Sequence, residues 1–89
     1  MLKVKDGFVL REIGPQTVAV PVGKRTGEIH GVVSLTESGA LLWSKLVEGA
    51  EKEELVSFLL AEYEIDEKTA SLDVEDFIKG LYAQGVMEE

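Results

Sequence analysis

The 89-residue chain contains no cysteine and a single histidine, His30. The absence of cysteine excludes disulfides, thiolate nucleophiles, iron–sulfur ligation and cysteine-type zinc sites. Because no second histidine or cysteine accompanies it, His30 is expected to be a half-exposed strand side chain rather than a metal ligand or general base. We therefore expect no catalytic residue, metal or cofactor, and favour a binding role over an enzymatic one.

Long apolar runs are also missing. No run approaches the roughly 18 to 20 residues of a membrane span, and the first 20 residues lack the basic start and continuous apolar stretch of a signal peptide. The expectation is a cytoplasmic protein with no membrane partner.

Positive charge is scarce after the first third of the chain. Residues 1–35 contain five Lys or Arg and three Asp or Glu, whereas residues 36–89 contain four and fourteen, and the whole chain has a net charge of −8. An acidic surface repels phosphate backbones, so we expect no nucleic-acid partner. A winged-helix DNA-binding regulator is nevertheless an alternative, because many transcription factors have three helices with a β-wing, and the strand and helix patterns of this chain allow that arrangement.

A chain of this length predicts one domain, residues 1–89, that buries only roughly 60 to 65% of its unfolded surface. Hydrophobic residues make up 45% and charged residues 29%, the balance of a globular protein. A surface site is therefore expected rather than a deep enclosed one.

Three strands are predicted in the N-terminal part. β-Branched and apolar residues dominate 8–13 and 17–22, which flank the turn Gly14-Pro15-Gln16, and again 29–35. Alternation in the first strand is imperfect, which suggests a sheet covered on both faces. The glycine-bracketed segment 23–27 predicts a basic hairpin loop rather than a phosphate-binding loop, because it lacks the Walker spacing. Gly31 suggests a bulge or a close backbone approach.

Helical periodicity begins after residue 35. Thr36 and Asp66 are predicted N-caps, Gly49 and Gly85 predicted terminators, and the second helix is expected at 51–63. The layout is α+β, a three-stranded antiparallel sheet followed by a three-helix bundle. Trp43 lies in an apolar stripe and predicts core packing.

The sequence resembles a known family. Residues 8–13 (FVLREI), 20–23 (VPVG) and 31–43 (GVVSLTESGALLW) are similar to the N-terminal half of PqqD-like proteins, and the resemblance continues to residues 85–86. Family members often have Asn where this chain has His30 and Thr36. The resemblance implies a winged-helix-like domain that binds the leader of a ribosomally synthesised precursor peptide, as in pyrroloquinoline quinone biosynthesis.

The resemblance also implies the partners and the site. A radical S-adenosylmethionine (SAM) or other peptide-modifying enzyme would receive the peptide, and a chain of this length corresponds to the free-standing, chaperone-like form. The leader would add a strand to the third strand and place side chains against the third helix. Because the sheet has free edges, pairing of two chains into a homodimer is a further possibility. The candidate peptide-binding residues are Ile29, His30, Gly31, Val32, Val33 and Ser34 on the strand and Leu72, Asp73, Asp76, Phe77 and Gly80 on the helix.

Asp73 and Asp76 stand three residues apart and invite comparison with an acid–base pair. Catalysis would require burial that splits their pKa values, which a shallow helix surface does not supply. A solvated helix face or a contact to a basic residue of the peptide is the preferred interpretation.

Overall fold

Three strands precede three helices along the chain. The computed structural model describes residues 1–27 and 31–88. The strands are β1 (Phe8–Ile13), β2 (Gln16–Pro21) and β3 (Val33–Leu35), and the helices are α1 (Glu37–Glu48), α2 (Lys52–Glu62) and α3 (Glu67–Ala83). This order confirms the predicted α+β class. The segment Gly23–Gly27, predicted as a loop, forms a short 3₁₀ helix.

The sheet is antiparallel, with β2 in the centre and β1 and β3 at its edges. Cross-strand partners run from Phe8↔Pro21 to Ile13↔Gln16 on one side of β2 and from Ala19↔Val33 to Thr17↔Leu35 on the other. After Phe8, every β1 residue is exposed. The expectation of a sheet covered on both faces is therefore wrong for β1, because α1 packs against β2 and β3 while β1 lies at the edge of the sheet.

β3 is shorter than predicted. The strand comprises only Val33–Leu35, so the prediction of a strand over 29–35 is wrong for Gly31 and Val32. Gly31 has φ +82°, a left-handed conformation that cannot continue a regular ladder and that glycine adopts without steric cost. Ile29 and His30 lie outside the described residues.

Local sequence signals set the helix ends as predicted. The Thr36 hydroxyl accepts a hydrogen bond from the Gly39 N–H at 3.0 Å, and the Asp66 carboxylate accepts one from the Thr69 N–H at 2.7 Å. Gly85, at φ +74°, ends α3 in a Schellman motif, in which the Val86 N–H donates to the Leu81 carbonyl.

The core lies between the sheet and the helices. Trp43 is 2% exposed, which confirms its predicted packing role, and its ring meets that of Phe8 edge to face with centroids 5.4 Å apart. The largest fully buried aliphatic side chains come from β3, all three helices and the C-terminal segment: Val33, Leu46, Leu55, Leu59, Val74, Leu81 and Val86.

The N-terminal segment forms contacts that were not predicted. Leu2 forms an isolated β-bridge with Ala50, and Val4 forms another with Met87. Residues 1–5 therefore run between the start of α2 and the C-terminal segment. Val4 is 2% exposed. Alternation of Leu2 and Val4 with lysines was the available signal, but isolated bridges are too short to stand out from sequence.

Candidate functional site

The outer edge of β3 is the first component of the candidate site. β3 pairs with β2 on one side only within the described sheet. Val33 and Leu35 direct their side chains into the core, whereas Ser34 is exposed. An edge strand keeps unpaired N–H and C=O groups that an extended peptide can pair with. Of the six predicted strand-side residues, the structure places Val33 and Ser34 on this edge, with Gly31 and Val32 just before it.

Phe77 brings α3 to the first turn of α1, the helix that follows β3. Its ring lies against the first turn of α1, where a Cβ on Gly39 would approach Cε1 of Phe77 to 3.1 Å. α1 begins directly after β3, with Thr36 as the linking residue. The absence of a side chain at Gly39 therefore lets α3 lie close to the strand end, and the half-buried Phe77 forms an apolar wall there.

Two further predicted residues share this side of α3. At about 100° per residue, Asp73 lies about 40° and Gly80 about 60° around the helix from Phe77. Asp73 is exposed, and a Cβ placed on Gly80 would have no other atom within 4 Å. We call the strip formed by the exposed Asp73 and the half-buried Phe77 and Gly80 the Phe77 flank; it combines a carboxylate, an apolar ring and open space.

The remaining two helix residues lie farther round. Asp76 is about 100° and Leu72 about 140° from Phe77. Leu72 is 51% exposed and Asp76 is also exposed. The structure therefore brings Phe77, Asp73 and Gly80 together, with Asp76 at the rim and Leu72 on the outward face.

The opposite side of α3 is occupied by other contacts. Glu75 forms an ion pair with Lys52 at the start of α2, and this hydrogen bond and the lysine charge hold the pKa of Glu75 below its ordinary value. Ile78 and Leu2 line a small apolar recess beside this pair. This side contacts α2 and the N-terminal segment, whereas the Phe77 flank is the side of α3 that packs on the first turn of α1.

The basic 3₁₀ segment serves a structural contact. Arg25 donates from Nε to the Asp6 carbonyl at 2.9 Å and from Nη2 to the Asp6 carboxylate at 2.8 Å. These bonds attach the segment to the chain just before β1. A cleft of about 770 Å³ nearby is lined by Lys3, Lys5, Arg25, Trp43 and others, on a different part of the surface from β3 and α3.

Metal binding, membrane insertion and DNA binding find no support in the described part of the chain. Across residues 1–27 and 31–88, no three His, Cys, Asp or Glu side chains are grouped to hold a metal ion. In the same residues, no helix is long and apolar enough to cross a bilayer. α3 has Glu67, Asp73, Glu75 and Asp76 against Lys68 and Lys79, a charge unsuited to a DNA groove.

Solved structures share this architecture. TbiB1 in complex with the TbiA(beta) leader peptide aligns with a TM-score of 0.74 and 29% identity, over 97% of this chain and 94% of that one. A lasso peptide synthetase B1 complexed with the leader peptide also aligns with a TM-score of 0.74, at 17% identity, over 99% of this chain and 98% of that one. No curated protein matches the sequence significantly.

The family comparison agrees with the resemblance found in the sequence. The model of Coenzyme PQQ synthesis protein D (PqqD) matches residues 16–87, which include β2, β3 and all three helices. The chain therefore belongs to the PqqD family.

Proposed function

We propose that this protein binds the leader segment of a ribosomally synthesised precursor peptide and presents it to a modifying enzyme. The observation that carries the proposal is the free β3 edge together with the packing of Phe77 on the first turn of α1, the helix that follows β3. Family membership and two structural neighbours solved with leader peptides support it.

The leader adds a strand to β3 and places its side chains along the Phe77 flank. Main-chain hydrogen bonds to an edge provide affinity without much sequence choice, whereas recesses for alternate side chains provide the choice. In this proposal Val33 and Ser34 supply the pairing edge, Gly31 and Val32 direct the chain into it, and Phe77 and Gly80 receive apolar anchors. Ile29 and His30 remain part of the proposed strand side.

Because β3 is short, burial of leader side chains contributes more to binding than backbone pairing does. Three edge residues offer about two to four outward hydrogen bonds, each contributing about 0.5 to 1.5 kcal/mol. Two or three buried apolar anchors contribute about 1.5 to 3 kcal/mol each. Ordering a flexible peptide costs roughly 2 to 5 kcal/mol. The favourable half of these ranges includes micromolar affinity, about −8 kcal/mol.

The proposed role is presentation rather than catalysis. The groove between β3 and α3 contains an aromatic ring, a glycine and solvated carboxylates, which suit contact with a peptide. The proposed recipient is a radical SAM enzyme, as the resemblance to PqqD-like proteins implies. Co-purification of the chain with such an enzyme encoded in a neighbouring gene would test this part separately.

Peptide titration tests the binding site. A precursor encoded beside the gene supplies the leader, and isotope-labelled protein reports the site by NMR. We expect the largest shifts at residues 33–35 and on the Phe77 flank. Phe77→Ala removes an aromatic wall and is expected to weaken binding about 10- to 100-fold.

Ile78→Ala is the matched control. Ile78 is also apolar, half-buried and on α3, but it faces the recess beside Lys52 and Glu75. Both variants lose core contacts, so circular dichroism should first establish that both are folded. Equal loss of affinity in the two variants, or shifts confined to α2, would show that the peptide does not bind at the Phe77 flank.

A further inference from the structure

The carboxylates around the proposed groove come from separate elements. Asp73 and Asp76 belong to α3, and Glu37 to the first turn of α1, which follows β3. All three are exposed. Within residues 1–27 and 31–88, none of them forms an ion pair or a side-chain hydrogen bond. Their charges are therefore available to a ligand lying between β3 and α3.

The lysines of α3 lie on the side of the helix opposite Phe77. Lys68 is about 180° and Lys79 about 160° around the helix from Phe77. Lys52 is paired with Glu75, and Lys45 lies 4.6 Å from the ring centroid of Phe58, at the other end of α1 from Glu37. Among the lysines of the three helices, none therefore lies beside Asp73 or Glu37, whereas Asp76 lies one turn before Lys79, about 60° from it around the helix.

Tyr63, at the junction of α2 and α3, lies near two further negative charges. Partial burial raises the pKa of its hydroxyl, and the negative charges of Glu37 and Glu62 raise the pKa further. Tyr63 packs against the core together with Phe77. The acidic character therefore continues beyond α3 to the helix ends that surround the start of α1.

We propose that this groove selects leaders in which an apolar anchor is accompanied by Lys or Arg residues, with Asp73, Asp76 and Glu37 as the residues that determine this preference. The inference rests on the proposed function and specifies its peptide class. The apolar wall at Phe77 takes the anchor, and the carboxylates at its rim take the basic side chains.

The expected size of the preference follows from exposed ion pairs. One such pair contributes up to about fivefold in affinity. Several pairs, together with repulsion of acidic peptides, give a preference for basic over acidic leaders on the order of a hundredfold at low salt. Because the groups are solvated, most of the preference should disappear at high ionic strength.

A displayed library of random dodecapeptides, panned against the full chain, tests the inference without knowledge of the natural leader. We expect selected peptides to be enriched in Lys and Arg at a fixed spacing from an apolar residue. Binding of a selected peptide is expected to fall about tenfold in Asp73→Asn/Asp76→Asn at about 50 mM salt, and less than threefold at about 500 mM.

The control variant Glu48→Gln/Glu88→Gln changes the net charge equally, at two exposed positions outside the groove. It should retain tight binding, because the effect belongs to the groove and not to the overall charge. An equal loss in both double variants would overturn the inference.

Two other outcomes separate this inference from the proposed function. Selected peptides that require Phe77 but show no enrichment in Lys or Arg would overturn the charge preference and leave peptide binding intact. Selection of no peptide, or of peptides that bind Phe77→Ala unchanged, would contradict the proposed function and the preference together.

Discussion

The two edges of the sheet differ in what lies beside them. β1 is six residues long, and all of them after Phe8 are exposed, including Ile13 at 64%. β3 is three residues long, and two of its side chains are in the core. Both edges offer backbone groups, but only β3 leads into a helix that contacts α3 through Gly39 and Phe77. Backbone availability alone therefore does not make a peptide site, because binding also needs apolar surface next to the edge.

β1 also carries features that discourage edge pairing. Arg11 and Glu12 are exposed charges on the strand, and charged side chains disfavour association of edges. A homodimer through this edge stays a prediction, and sedimentation analysis would test it.

Core-facing side chains provide the largest expected contrast between the edges. Leu35 on β3 is 5% exposed, whereas Leu10 on β1 is 39% exposed. We expect Leu35→Ala to lower the free energy of unfolding by about 2 to 5 kcal/mol, since it leaves a cavity in the core. Leu10→Ala should cost less than about 1 kcal/mol. Urea denaturation measures both, and similar losses would contradict the difference between the edges.

Loss of the Thr36 cap, at the end of β3, is expected to lower the free energy of unfolding by less than loss of the Leu35 side chain. This residue joins β3 to α1, and its hydroxyl accepts the Gly39 N–H. Thr36→Ala is expected to cost about 1 kcal/mol of unfolding free energy, because the helix loses a capping acceptor. Thr36→Ser keeps the hydroxyl and should remain near the wild type in the same denaturation assay. Equal losses in the two variants would show that the cap is not the cause.

Acid should lower the free energy of unfolding, in part through Asp66, the N-cap of α3. Hydrogen bonds from Thr69, its backbone N–H first, hold the pKa of Asp66 below its ordinary value of 3.8. The charged carboxylate therefore stabilises the fold above that pH, and this contribution is lost as the pH falls through the lowered pKa.

The measurement is unfolding free energy against pH for the wild type and Asp66→Asn. We expect the wild type to be more stable near neutral pH, and the gap to narrow as the pH falls below 3.8. A gap that stays constant across this range would show that ionisation of Asp66 is not involved. The effect is expected to be the smallest of the three, because Asp66 is solvent-exposed.

The sequence by itself determined the order of the strands and helices, the helix ends and the burial of Trp43. These features depend on local chemistry: Thr36 and Asp66 cap because their side chains reach nearby N–H groups, and Trp43 is buried because it lies on an apolar helical stripe. The family was also recognisable from sequence, since its pattern of apolar and glycine positions extends over most of the chain.

The tertiary structure alone decided the length of β3, the exposure of β1 and the side of α3 that faces the strand. A strand ends where its backbone leaves the ladder, and the left-handed conformation of Gly31 is one of several that glycine permits. Helical periodicity placed Asp73, Asp76, Phe77 and Gly80 around one helix but left their orientation open. That orientation is set by contacts between residues distant in sequence, Gly39 with Phe77 on one side and Lys52 with Glu75 on the other.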